Sequence, residues 1–177
     1  MATFNFYLKD SGTSAPATWG EGDRYEIGNQ MKALFDDVCA EAACPFDNSD
    51  FWWDPTGGDI PLLIYFVDGQ ADSLVRRIRP HANLGGGGTT HVSPTGNLAE
   101  VYISGGTIFN DSAAGLGRLA FHEAMHNLLN MGNNLHAVGG GGLASAVVFE
   151  NTNLTQRNKA LMAPALGRKV AQNTTFL

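Results

Sequence analysis

Residues 98–131, LAEVYISGGTIFNDSAAGLGRLAFHEAMHNLLNM, carry the pattern on which the fold turns. Val101 to Ile103 read as a strand, and Asn110, Asp111 and Ser112 then offer side-chain oxygens as N-caps for a helix running to about Met131. A strand feeding a long capped helix is half of a layered domain, so the rest of the chain must supply the sheet and its cover.

Upstream, TFNFYL at 3–8 alternates polar and apolar residues like a half-buried strand, and the turn-rich DSGTSAPATWGEGD with Pro16 follows it. From Asp23 to Ala43 the apolar Ile27, Met31, Leu34, Phe35 and Val38 recur at helical spacing, with Asp23 as N-cap and Pro45 just past the end. The unbroken apolar run Leu62 to Val67 predicts a central strand covered on both faces. Arg79 to Gly96, with four glycines at Gly85 to Gly88, reads as a surface loop or loose hairpin outside the core. Gly139 to Gly142 precede LASAVVF, whose conformation the pattern leaves open, and ALMAPALGRKVA predicts a turn at Pro164 and a short final helix. Strand, helix, strand, strand, helix in that order predicts an α+β fold, an α/β sandwich with a mixed sheet. No repeat or linker divides it, so residues 1–177 are expected to form one domain.

Composition narrows the function classes. Hydrophobic residues are 44% and charged residues 16%, which is the balance of a folded, water-soluble chain. The net charge is −6 and the one dense basic cluster is Arg76, Arg77 and Arg79, so no nucleic acid is expected as partner. No stretch reaches the roughly 18 apolar residues of a spanning helix, and MATFNFYLKD lacks the charged-then-apolar order of a signal peptide. No membrane association is expected, and the compartment stays open between the cytoplasm and export by a non-classical route. Cys39 and Cys44 allow a small local bridge or two thiols, not a disulfide framework or a zinc finger. The run GGGGTT lacks the lysine of a phosphate-binding loop.

The chemistry lies in Phe121-His122-Glu123-Ala124-Met125-His126. Residues four apart on a helix share a face, so the His122 and His126 imidazoles can reach one ion while Glu123 flanks it. Zinc takes neutral imidazole nitrogens at about 2.0–2.1 Å, and catalytic sites use three protein ligands, leaving a position for water. Glu123 is then placed to take that water's proton as general base. Two surface histidines beside a solvated glutamate on an ordinary helix would read the same. A third ligand must come from His136, Glu150, His81 or His91. His136 is preferred: Gly132 can end the helix in a left-handed cap, and the chain from Asn133 to His136 can span about 13–14 Å back to the metal.

With these residues in view, the sequence resembles the metzincin clan of zinc peptidases. Their H-E-x-x-H is followed by x-x-G-x-x-H or Asp and by a later turn holding a methionine beneath the metal. Ala160-Leu161-Met162-Ala163-Pro164 looks like that turn. Leu129 stands where the family glycine would be, and Gly132 and His136 come later than the family spacing.

The resemblance implies a minimal metzincin-like fold, a twisted mixed sheet packed against an active-site helix. It implies one catalytic Zn²⁺ on His122, His126 and His136, with Glu123 as base and Met162 as the turn methionine. Activity is expected to be zinc-dependent endopeptidase hydrolysis of a peptide or protein substrate. The strand at Ala99 to Ser104, with Val101, Tyr102 and Ile103, would be the sheet edge that pairs with an extended peptide, or an ordinary paired strand. Tyr102, His91 or backbone amides near Val101 are candidate oxyanion donors. Trp52, Trp53 and Tyr65 could line a specificity pocket or be core. Two alternatives remain: a gluzincin-type site with Glu150 as third ligand, and a non-catalytic binding module that zinc merely stabilises. Met162 reads equally as a core methionine.

Overall fold

The computed structural model describes residues 1–10, 21–93, 95–103, 112–169 and 172–173. The expected turn-rich stretch at 11–20, Ser104, and the candidate caps Asn110 and Asp111 lie outside them. The described chain runs β1 (Thr3–Asp10), α1 (Glu21–Cys39), β2 (Asn48–Trp53), β3 (Asp59–Ile60), β4 (Leu63–Val67), α2 (Leu74–Ile78), β5 (Gly88–Thr90), β6 (Leu98–Tyr102), α3 (Ala113–Leu129), α4 (Asn134–Val138), α5 (Gln156–Met162) and β7 (Gln172–Asn173). Single 3₁₀ turns stand at Gln70–Asp72, Gly142–Ala144 and Ala163–Ala165.

Five strands form one mixed sheet in the order β2-β1-β4-β6-β5. The first four are parallel, and β5 lies antiparallel on β6. Strands β3 and β7 pair separately. The α+β class expected from the element order holds, with the sheet mixed.

Alternation along β1 sends Phe4, Phe6 and Leu8 to the face that α1 and α3 cover. There they meet Ile27, Met31, Phe35 and Val38 of α1 and Phe121, Ala124 and Met125 of α3. The Phe35 ring centroid sits 4.8 Å from that of Phe6 and 4.7 Å from that of Phe121, so one cluster of tilted aromatic rings ties both helices to the sheet. The opposite face is smaller and packs Leu63 and Leu98 against Ile60 and Val75. Strand β4 is buried on both faces, which explains its unbroken apolar run. Strand β6 is buried throughout and carries Glu100, fully buried. That carboxylate accepts from the amides of Leu74 (2.9 Å) and Val75 (3.3 Å), from Tyr102 Oη (2.8 Å) and from the Ser73 hydroxyl. Placed at the first turn of α2, the negative charge is met by orphan amide groups instead of water.

Three expectations need correction. Helix α1 begins at Glu21 and stops at Cys39, not Ala43, because Glu41 and Cys44 donate to the carbonyls three residues back and wind the chain into turns before Pro45. Within the stretch expected to lie outside the core, Gly88–Thr90 is a sheet strand and Val75 and Ser73 just before it cap and pack α2. Among the described residues the last α-helix precedes Pro164 instead of following it: Thr155 caps α5, and Pro164 then sits in a 3₁₀ turn. Among the described residues no helix is long and apolar enough to cross a membrane.

Candidate metal centre

Helix α3 places the first two imidazoles. Ser112 caps it, accepting from Gly115 N at 3.0 Å, and every residue from Leu119 to Leu128 is buried between the sheet, α1 and the loops beyond. His122 and His126 therefore project from the rigid middle and last turn of a clamped helix. Each ring is held from behind by a main-chain carbonyl: His122 Nδ1 donates to Leu143 O at 2.7 Å, and His126 Nδ1 to Met131 O at 2.8 Å. A carbonyl only accepts, so both protons sit on Nδ1 and both Nε2 lone pairs point forward.

The helix ends two residues earlier than a cap at Gly132 would place it. Asn130 takes the left-handed conformation (φ 54°, ψ 44°), and the amide of Met131 donates back to His126 O at 3.0 Å. That reversal is what sets Met131 O against the His126 ring. His136 then rides on α4, not on an irregular loop, and its ring stacks parallel to His122 at 16° with centroids 5.4 Å apart.

His122 Nε2 and His126 Nε2 are 3.0 Å apart, and His136 Nε2 is 3.2 Å from His126 Nε2. Two imidazole nitrogens bound to one tetrahedral zinc stand about 3.3 Å apart, so the spacing fits a single ion. Two forward lone pairs facing each other at that distance repel, and a cation converts the repulsion into three bonds. Burial pushes the His122 ring down to about 3, with His126 adding to the effect, and burial also lowers His126 and His136. All three rings are neutral at pH 7, the form that binds metal. These three are the group of metal-ligating side chains among the described residues that lies close enough to hold an ion.

Glu123 borders the same cleft, a volume of about 210 Å³ bounded by Gly85 to Thr90 on one side and by Leu119, Ala146 and Val148 on another. Burial, and secondly the charge of Glu100, push its carboxyl up to about 8. A cation beside it would favour the carboxylate again. Gly88 lies directly on this side chain: a Cβ there would stand 2.7 Å from Glu123 Cγ, 2.8 Å from Oε1 and 2.6 Å from the main-chain oxygen of Glu100. The last contact is with backbone and cannot be relieved by a rotamer. Gly88→Ala is therefore expected to cost about 1–3 kcal/mol of stability as β5 is forced off the helix. A denaturant midpoint equal to wild type would show that β5 does not press on Glu123.

Among the described residues the sheet ends beside the site at β5, not β6. Strand β6 pairs with β4 on one side and β5 on the other, so Val101, Tyr102 and Ile103 cannot offer an edge to a peptide. Tyr102 is buried with its hydroxyl on Glu100, which also removes it as an oxyanion donor. The Val101 backbone is spent in the sheet, and His91 lies outside the cleft lining.

Glu150 accepts from Ser112 at the start of α3, about ten residues or 15 Å of helix from His122, so it is no ligand here. His81 and His91 stand outside the cluster. Met162 is buried in the main core at the end of a helix, not in a turn. Trp52 and Trp53 lie on β2, the far edge of the sheet from β5, and Tyr65 packs on the opposite face, so none lines the cleft. Cys39 and Cys44 are free thiols, Cys39 pushed up to about 12 by burial and by its neighbour Cys44.

Sequence reasoning missed the β5 edge and the carbonyls of Leu143 and Met131. The pair Thr89-Thr90 is a β-branched signal that the preceding glycines obscured. No family model matches this chain, and no curated protein matches it.

Proposed function

We propose that the protein is a zinc-dependent endopeptidase of metzincin-like character. The observation that carries this is the meeting of three imidazole Nε2 atoms, two of them 3.0 Å and two 3.2 Å apart, beside the Glu123 carboxyl in an open cleft. When bound by His122, His126 and His136, zinc would polarise a scissile carbonyl and lower the pKa of a water. Glu123 would take the attacking water's proton on a carboxylate oxygen as the water oxygen bonds to the carbonyl carbon, and would return it to the amine nitrogen as the C–N bond breaks. Strand β5 holds the substrate: its pairing with β6 uses Gly87 O and the amide of His91, so the main-chain groups of Gly88 and the amide of Thr90 face away from β6, while Thr90 O accepts from the amide of Val92 at 3.1 Å. An extended peptide laid along that edge would be gripped through its backbone. The glycines from Gly85 to Gly88 let the peptide approach without side chains in its way, while Leu119 and Val148 supply an apolar wall.

Metal analysis of protein purified with zinc present, paired with cleavage of unfolded casein, tests this directly. One zinc per chain and cleavage abolished by a chelator are expected. Folded protein with no stoichiometric metal would end the proposal.

A further inference from the structure

Asn158, on the first turn of α5, is fully buried and uses its whole amide. Its Oδ1 accepts from Leu143 N at 3.1 Å and Thr155 N at 3.0 Å, and its Nδ2 donates to Gly139 O at 2.7 Å and Gly141 O at 3.0 Å. Leu143 is the residue whose carbonyl holds the His122 ring, and Gly139 directly follows the helix that carries His136. We propose that Asn158 is the positioning residue of the metal centre, orienting His122 through Leu143 and His136 through Gly139. The inference rests on the metal-binding function proposed above.

The segment it holds needs holding. Gly140, Gly141 and Gly142 all have positive φ (78°, 71° and 58°), and glycines lose more conformational freedom on ordering than any other residue. Among the described residues only the short 3₁₀ turn that starts at Gly142 gives this run backbone bonds of its own, so a side chain must tie down Gly139 to Gly141. Only an amide offers two acceptor sites and two donors from one short stem: an aspartate would set oxygen against the carbonyls of Gly139 and Gly141, and an apolar residue would leave the Leu143 and Thr155 amides and the Gly139 carbonyl without this partner, Gly141 O keeping its bond from Ala144 N. Gly142 presses so close that a Cβ there would lie 2.7 Å from Asn158 Oδ1. Asn158 is in turn anchored by a reciprocal cap with Thr155, and α5 is tied to α1 through Lys159 on Asp37 and to the turn just after α1 through Gln156 and Lys159 on Glu41. The position of two ligands is thus referred to the main core. Residues that hold metal ligands from behind typically govern affinity by about 10–100-fold.

The test measures zinc affinity by competition with a chromophoric chelator, and thermal stability without metal, on Asn158→Ala, Asn158→Asp and Thr155→Val. Thr155→Val removes the hydroxyl that caps α5 but leaves the Asn158 side chain in place. Asn158→Ala is expected to bind zinc about 10–100-fold more weakly, whereas Thr155→Val should lose stability yet stay within about threefold of wild-type affinity. Wild-type affinity in a folded Asn158→Ala, or equal losses of affinity in both variants, would overturn the assignment. Should Asn158→Ala not fold, Asn158→Asp, which keeps both acceptor bonds, decides: weaker zinc binding supports the role and unchanged binding overturns it. Wild type that binds no zinc would instead remove the metal centre itself, and this role with it.

Discussion

Glu123→Gln is expected to keep one metal ion per chain and a native fold while losing about 10²–10⁴-fold in peptide hydrolysis, the range supplied by a positioned general base. Glutamine matches glutamate in shape, so it can occupy the space beneath Gly88 without disturbing β5. It does not touch the ligand set, because the three imidazoles are oriented by Leu143 O, by Met131 O and by α4. What it lacks is an oxygen that can carry a proton between two reacting atoms. The variant therefore separates a peptidase from a module in which metal only ties α3 to α4. Measured as kcat/KM on a fluorogenic peptide alongside metal content, a large loss with metal retained supports catalysis. An unchanged rate would mean that the cleavage seen is not carried out here.

His136→Ala is expected to abolish stoichiometric zinc and, with it, chelator-sensitive cleavage. Structural zinc sites bind with about 10–16 kcal/mol, so one ligand among three or four carries on the order of 3–5 kcal/mol, or about 10²–10⁴-fold in affinity. His136 is the more exposed of the three rings and lies on a five-residue helix, so its removal leaves the core intact. Glu150→Ala is the matched control. Its carboxylate pairs with Ser112 ten residues before His122, and its loss should leave metal content at the wild-type level. A thermal readout follows from mass action: zinc at about 100 times its dissociation constant stabilises the binding-competent protein by about 2.7 kcal/mol. In a chain of this size that raises Tm by about 5–10 °C. The rise should be present in wild type and Glu123→Gln and absent in His136→Ala. Retention of metal by His136→Ala with loss in Glu150→Ala would reverse the ligand assignment.

Much of this was legible locally. The spacing of Ile27, Met31, Phe35 and Val38 marked α1, the apolar run into Val67 marked a strand buried on two faces, and Ser112 marked the start of α3. His122, Glu123 and His126 could be placed on one helix because their relation depends on 3.6 residues per turn and nothing else. The misreadings share a different character. Val101 to Ile103 looked like a sheet edge, but whether a strand is an edge depends on what pairs with it, and Gly88–Thr90 arrives from a stretch with almost no side chains to announce it. Asn158 looked like a polar residue on a short helix, since its partners Gly139, Gly141 and Leu143 lie 15 to 19 residues away.

The sequence by itself determined the elements and the pairing of two histidines with a glutamate, because helix periodicity, caps and alternation are settled within a few residues. Only the tertiary structure decided that His136 completes the cluster, that β5 borders the cleft and that Asn158 holds the glycine loop. Glycine-rich segments have no strong local preference, so their course is set by hydrogen bonds and packing from residues distant along the chain.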